Sequence, residues 1–343
     1  MPVTKSTLMY RHLSHRRNVS LPKTACHVLV TSLAIACCGT AIAAERFPQR
    51  PVRMLSPYAA GGTTDIAGRV AGQHLAANWK QSVVIDNRLG AGGNIATELV
   101  AKAAPDGYTL LCNTAAIYIA PSIYKKLPFD PIRDFIPISK IGFSPAVVLL
   151  HPRVNANSIS ELVALAKAQP GKLNYGSAGT GVAAHLATEL FKTMAHVNLV
   201  HVPYKGGAPA LTDLMGGQIQ ILFNALGTAL PLAKSGRVKA LAVTTAQRSQ
   251  FAPDMPTVAE SGVPGYEFSY WYALFAPAKT PMTVVGQINR DLANVVATPA
   301  AREQLEFHGI TPATNTLAEF SAEVTKELQT WARVAKDAGI QPQ

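Results

Sequence analysis

The chain has 343 residues, with 31 basic against 20 acidic side chains and a hydrophobic share of 48%. That share excludes a disordered chain, and the length predicts two domains of ordinary size. The formal charge is +11, but no cluster of Lys and Arg interleaved with aromatics appears, which argues against a nucleic-acid partner.

Residues 1–44 read as a secretory signal peptide with a long charged leader. "MPVTKSTLMYRHLSHRRNVSLPK" carries Lys5, Arg11, Arg16, Arg17 and Lys23 and no acid. The apolar run "ACHVLVTSLAIACC" is too short for a stable membrane anchor. "TAIAAE" then places Ala41 and Ala43 in the small-residue positions of a cleavage site. The start is Met1 or Met9. An anchor and a lipoprotein at Cys37 are the competing readings, and the lipobox before Cys37 is poor. Removing the 44 residues takes five basic side chains with it, leaving 299 residues and a surplus of +6. A modest positive surplus suits a small anion. Cys26, Cys37 and Cys38 leave with the leader, so Cys112 has no partner and is expected as a buried, inert thiol. The expected location is the periplasm.

From Pro51 onward, strand-like and helix-like runs alternate. "PVRMLSPY" leads to the helix "DIAGRVAGQHLAANW", and "SVVIDNR" leads through "LGAGG" to "NIATELVAKAA". The strand "YTLLCNT" follows. Apolar strands separated by short Gly-rich turns and helices predict a mainly parallel sheet covered by helices. Between Tyr118 and Phe143 four prolines interrupt any period, and "PAVVLLHP" then resumes as a strand. "SISELVALAKAQ" is a helix capped by Ser158 or Ser160. "KLNYGSAGTG", "VAAHLATELFKTMA", "VNLVHVPY", "GAPALTDLMGGQ", "IQILFNA", "ALPLAKSG" and "VKALAVTT" repeat the rhythm as a second parallel unit. The chain re-enters a strand at "YEFSYWYALFAPAKT" and ends in helices. The last of these carries an apolar stripe at Leu317, Phe320, Val324, Leu328, Trp331 and Val334, the pattern of a core face.

The first unit has only three clear strands, so the tail is expected to complete it. That makes one discontinuous domain of residues 45–144 and 265–343 and a second of residues 145–264. Two crossings, near Ile141–Val147 and Gly265–Tyr272, allow a hinge between two α/β lobes facing a cleft.

In such sheets ligands bind beyond the carboxyl ends of the strands, so each strand-to-helix turn is a candidate site. In "SPYAAGGTTDIAGR", Gly61 and Gly62 permit close backbone approach. The N–H groups of Gly62, Thr63, Thr64 and Asp65 are the donors expected to be free at a helix start, where they favour an anion. Asp65 has three readings: helix cap, water holder or ligand contact. No Walker lysine follows, and "GAGGNIA" is a weak dinucleotide match. The second turn is "YGSAGTGVAAHL", with Ser177, Gly179, Thr180, Gly181 and His185. Its Ser177 lacks a nucleophile elbow because Tyr175 stands where a glycine belongs. The third is "HVPYKGGAPA", with Tyr204, Gly206 and an optional anion partner in Lys205. Asn113 and Asn224 each end a strand and reach the same cleft. Trp271 in the second crossing is either core or cleft wall. His151, His185, His196 and His201 lack metal-ligand spacing, so neither a metal nor another cofactor is expected.

The chain resembles the Bug proteins, the TctC-like receptors of tripartite tricarboxylate transporters. The resemblance covers the whole region after the leader. It is carried by "SPYAAGGTTDIAGR", "NRLGAGGNIATELVAKAAPDGYTLL", "YGSAGTGVAAHLATELF", "HVPYKGGAPALTDLMGGQI", "PTVAESGVPGYE" and "WYALFAPAKTP". The departures are "NRLGAGG", where the family often has a proline before the first glycine, and the long leader. The resemblance implies a two-lobed α/β periplasmic binding protein of the Venus flytrap type, with two mainly parallel sheets and a hinged cleft. It implies a small carboxylate (di- or tricarboxylate, amino acid or aromatic acid) gripped through two turns and a pair of bridging waters. Those turns match Tyr58 to Asp65 and Gly176 to Gly181. It further implies a monomeric, non-enzymatic receptor serving membrane permease subunits. An exported hydrolase-like enzyme using Ser177, His185 or Asp65, and a sensor subunit for a membrane kinase, are the alternatives.

Overall fold

A computed structural model describes residues 47–204 and 206–342. The signal-peptide reading and Lys205 therefore lie outside the described residues. Strands β1 (Val52–Ser56), β2 (Val83–Asn87) and β3 (Thr109–Asn113) form a parallel trio with β1 in the centre. Helices α1 (Thr63–Trp79), α2 (Asn94–Ala101) and α3 (Ala116–Ile123) follow them in turn. Strand β4 (Phe135–Leu150) comes next, then α4 (Ile159–Ala168), capped by the Ser158 hydroxyl on the Glu161 N–H. The second trio consists of β5 (Asn174–Ser177), β6 (Val200–Pro203) and β7 (Ile221–Ala225), parallel with β5 in the centre. Helices α5 (Ala183–Ala195), α6 (Gly207–Gly216) and α7 (Leu226–Lys234) follow these strands, and β8 (Lys239–Val243) follows α7.

The two parallel trios belong to one continuous sheet path, β2-β1-β3, then β9 (Ser269–Pro277), then β4-β7-β5-β6. The long antiparallel strands β4 and β9 join them. From Phe135 to Pro145, β4 pairs with β9, and from Ala146 to Leu150 it pairs with β7 and β8. The partner of this one strand thus changes at Pro145–Ala146. The strand also begins earlier than its apolar run "PAVVLLHP". Its register with β9 shifts between Pro137 and Ser139 and again between Lys140 and Gly142. Such bulges break the alternation of side chains, which is why this stretch shows no period in the sequence.

The central strands of the sheet are buried on both faces, as their nearly continuous apolar sequences require, while the edge strands β2 and β6 are partly exposed. Leu111 and Phe275 face one core, while Leu110, Cys112 and Leu274 face another. Along β4, Val148 and Leu150 join the first core, and Val147 and Leu149 a third, under α6 and α7. The tail supplies α8 (Met282–Val296), α9 (Pro299–Phe307), the short β10 (Thr311–Pro312) and α10 (Leu317–Asp337). Helices α8 and α9 pack on α1. Helix α10 starts at a capping box between Thr316 and Glu319. Its stripe is buried at Phe320, Val324, Trp331 and Val334, with Leu317 and Leu328 half-buried. This helix touches both α3 and α5, and so reaches the elements behind both parallel trios.

Candidate functional site

Five helices begin around one cavity of about 280 Å³. Its wall includes Thr63 and Thr64 at the start of α1, Ala116 of α3, Ala183 and Ala184 of α5, Gly207 of α6, and Ala225, the N-cap of α7. The starts of α1, α5, α6 and α7 present backbone N–H groups and the positive end of a helix dipole, whereas the Ala116 N–H of α3 is taken by the Thr114 hydroxyl at 3.3 Å. The cavity thus favours an anion without requiring a cationic side chain. Tyr58, Gly62, Thr114, Ala178, Val182, Leu222, Phe223, Asn224, Tyr270 and Tyr272 complete the wall. The polar atoms are mainly neutral hydroxyls. Burial raises the phenols of Tyr58, Tyr270 and Tyr272, that of Tyr272 to about 12 despite hydrogen bonds to Ser144 and Thr63. They stay protonated and can donate.

The first turn is built more tightly than its sequence implies. Gly62 is the N-cap of α1, and its own N–H closes a turn on the Ala59 carbonyl at 3.2 Å. The Gly62 N–H is therefore not one of the free donors. Gly61 adopts φ +81°, which glycine tolerates, and its N–H donates to Asp65 Oδ2 at 2.9 Å. Asp65 is the third residue of the helix and is 1% exposed. Besides Gly61, Arg69 Nε donates to its Oδ2 at 2.7 Å and Asn87 Nδ2 to its Oδ1 at 2.8 Å. Burial pushes its carboxyl up, but these hydrogen bonds outweigh it and hold the group below the usual carboxylate value. Of its three readings, the helix-cap position belongs to Gly62. Asp65 is committed to the turn and is not part of the cavity wall. Asn87 also donates to the Tyr58 carbonyl at 2.8 Å, so the end of β2 braces the same turn. Neither Arg69 nor Asn87 stood out in the sequence, although an arginine four residues after an aspartate on a helix is a recognisable pair.

The second turn leaves β5 at Ser177. Its side chain is buried, accepts the Gly179 N–H at 3.2 Å and lies 2.7 Å from His201 Nε2. The histidine beside Ser177 is thus His201, not His185. His185 Nδ1 instead accepts the Gly181 N–H at 3.0 Å. Ser177, Gly179, Gly181 and His185 therefore support the turn, Thr180 is exposed on it, and its wall residues are Ala178, Val182, Ala183 and Ala184.

Of the other expected residues, Tyr58, Gly62, Thr63, Thr64 and Asn224 face the cavity. Asn224 donates to the Thr228 hydroxyl at 3.1 Å. Asn113 is buried one residue short of the wall. Its Oδ1 accepts the Thr114 N–H at 2.8 Å and its Nδ2 donates to Thr97 at 3.2 Å. Thr114 lines the cavity in its place and sits 3.2 Å from the Tyr58 hydroxyl. Tyr204 donates to Asp213 at 2.8 Å, and Gly207 rather than Gly206 forms the wall. Trp271 is buried in the core against Tyr118 and Phe320. Its strand neighbours Tyr270 and Tyr272 line the cavity. Among the described residues no cluster of three metal-ligating side chains forms, and no helix is long and apolar enough to cross a membrane.

The geometry has known relatives. Residues 67–340 match the model of the tripartite tricarboxylate transporter family receptor, TctC. Protein BugT of Bordetella pertussis is 34% identical over 314 residues, covering 90% of this chain and 96% of that protein. An R. palustris protein solved with adipate superposes with a TM-score of 0.80 at 37% identity, covering 87% of this chain and 100% of that one. MatC of Rhodopseudomonas palustris, solved with bound malate, gives a TM-score of 0.74 at 30% identity, covering 84% and 100%.

Proposed function

We propose a carboxylate-capturing role from one premise: this chain belongs to the tripartite tricarboxylate transporter receptor family. The protein is an extracytoplasmic solute-binding receptor. It holds a small organic carboxylate between two lobes and delivers it to the membrane permease subunits of a tripartite transporter. The single observation that carries this is the convergence of five helix starts on one cavity, drawn from both parallel trios. An anion there meets backbone donors from both sides at once, so binding favours the closed arrangement of the lobes. The lobes are residues 45–144 with 265–343, and residues 145–264. The change of partner along β4 at Pro145–Ala146 supports that division.

The carboxylate is held by neutral donors: N–H groups at the starts of α1 and α5, and hydroxyls of Thr63, Thr64, Thr114 and the cavity tyrosines. Relatives solved with adipate and malate support a carboxylic acid as cargo. The receptor acts as a periplasmic monomer and performs no chemistry. The burial of Ser177 and the donation of its hydroxyl to the Gly179 carbonyl support that last point. Mass spectrometry of small molecules released from freshly purified, denatured protein identifies the cargo. Calorimetric titration with adipate, malate, citrate, glutamate and benzoate then measures its capture. A folded protein that binds none of these acids and releases a chemically altered product would overturn the proposal.

A further inference from the structure

Beside the second turn lies a largely buried stack of aromatic and charged side chains that does not line the cavity. The rings of His185 and His201 stack with centroids 3.9 Å apart and planes 19° apart. Tyr175 stacks on His201 at 4.9 Å. Below them, Glu189 accepts the Tyr175 hydroxyl and Lys192 Nζ, the latter at 2.6 Å, and lies 3.9 Å from His185 Nε2. These are the titratable groups that face the pair: Tyr175 from β5, and Glu189 and Lys192 from the same helix as His185.

We propose that the His185–His201 stack is the positioning device of the second cargo turn, one imidazole holding its first residue and the other its last. His201 Nε2 meets the Ser177 hydroxyl, where the turn leaves β5, at 2.7 Å. His185 Nδ1 accepts the Gly181 N–H, where the turn enters α5, at 3.0 Å. Two rings stacked on each other therefore set the separation of the turn's two ends. The cavity-lining Ala178 lies between those ends, and Val182 to Ala184 follow directly. This assignment rests on the carboxylate-receptor reading for the purpose of the turn, but not for its geometry.

The arrangement demands that the His185 ring be neutral. A nitrogen that accepts an N–H has its lone pair free, so His185 carries its proton on Nε2, toward Glu189. A second proton on Nδ1 would place two donors face to face and break the bond to Gly181. Burial, reinforced by Lys192, holds His185 down to about 4, and burial and the adjacent His185 do the same for His201. The turn is consequently locked throughout the neutral range.

The test begins with long-range ¹H–¹⁵N imidazole spectra of the purified protein. At pH 7 His185 is expected neutral, with the proton on Nε2. A charged ring, or a proton on Nδ1, overturns the proposal whatever any variant does. His185→Asn keeps an acceptor near the Nδ1 position, and His185→Leu keeps the bulk without it. With both variants folded by melting curve, amide exchange at Gly181 is expected to rise about tenfold in Leu and to stay within about threefold in Asn. Adipate affinity is expected to follow the same order. Unchanged Gly181 exchange in the Leu variant overturns the positioning role. If Leu does not fold, the tautomer spectrum of the natural protein decides. The expected spectra and exchange, in a protein that binds none of the five acids and releases a chemically altered product, uphold the positioning role and overturn the carboxylate reading instead.

Discussion

Gly181 of the second turn lies against Ile123 at the end of α3, so close that a methyl group on Gly181 would stand 2.5 Å from Ile123 Cγ1 and Cγ2. The two residues follow strands of different parallel trios, so their contact ties the two trios' connections together. Gly181 also sits at φ +78°, where side chains are strained. Gly181→Ala is therefore expected to cost about 1–3 kcal/mol, divided between folding and closure. Calorimetry with the identified cargo should show at least about a fivefold loss of affinity beyond any drop in melting temperature. Ile123→Ala in the same background makes room for the methyl and is expected to restore part of that loss.

Asp65 organises the first turn through Gly61, Arg69 and Asn87. Asp65→Ala leaves the Gly61 N–H and Asn87 amide without their acceptor and is expected to cost about 2–3 kcal/mol in a urea melt. Asp65 also imposes a pH dependence with a definite sign. Its folded carboxyl lies below the ordinary value of 3.8, so the folded state favours the charged form. The stabilisation is complete above that ordinary value and is lost as pH falls through the lowered one. The stability gap between the natural protein and Asp65→Asn should shrink in that acid range and be constant near neutrality.

Glu327 has the opposite sign. It accepts the Trp271 indole at 3.2 Å and also that of Trp331, joining α10 to β9. Burial raises its carboxyl above the ordinary 4.5, against the pull of the two indoles and Lys140. The folded state holds the proton longer than the unfolded chain, so this group removes stability as pH rises from about 4.5 to its raised value. Denaturant melts of the natural protein and Glu327→Gln should show the gap moving in favour of Gln across that window. Parallel curves would exclude it.

Cys112 is fully buried between β3 and α1, with its thiol pushed up to about 12 by burial and, secondarily, by Asp65. Thiolate is the reactive form, so a thiol reagent at pH 8 should not modify the folded protein within hours. In guanidinium the same reagent should react within minutes. Rapid labelling of folded protein would mean that the core beneath the first turn opens.

Much of this molecule is legible in one dimension. Alternating apolar strands and amphipathic helices announce two parallel units, and the α10 stripe from Phe320 to Val334 announces a core face. Thr63 and Thr64 are recognisable because a strand, a glycine pair and a helix start occur in that order. What the pattern hides is longer in range. The bulges at Pro137–Ser139 and Lys140–Gly142 erase the alternation of β4, so the strand that joins both units reads as a loop. The neighbours Asn113 and Thr114, Ser177 and Ala178, and Gly206 and Gly207 show a second limit. Local sequence locates a turn, but which of two adjacent residues faces the cavity depends on how the chain rotates as it leaves the strand.

Strand period, helix period and glycine placement are local properties of the chain, so the α/β class, the family resemblance and the two glycine-rich turns are readable in one dimension. What each polar side chain in those turns does depends instead on distant partners. Asp65 meets Asn87, Ser177 meets His201, and Gly181 meets Ile123 through separations of 22, 24 and 58 positions. A hydrogen bond or a van der Waals contact is decided within a few tenths of an ångström, and the packing of the sheet and its helices sets that distance.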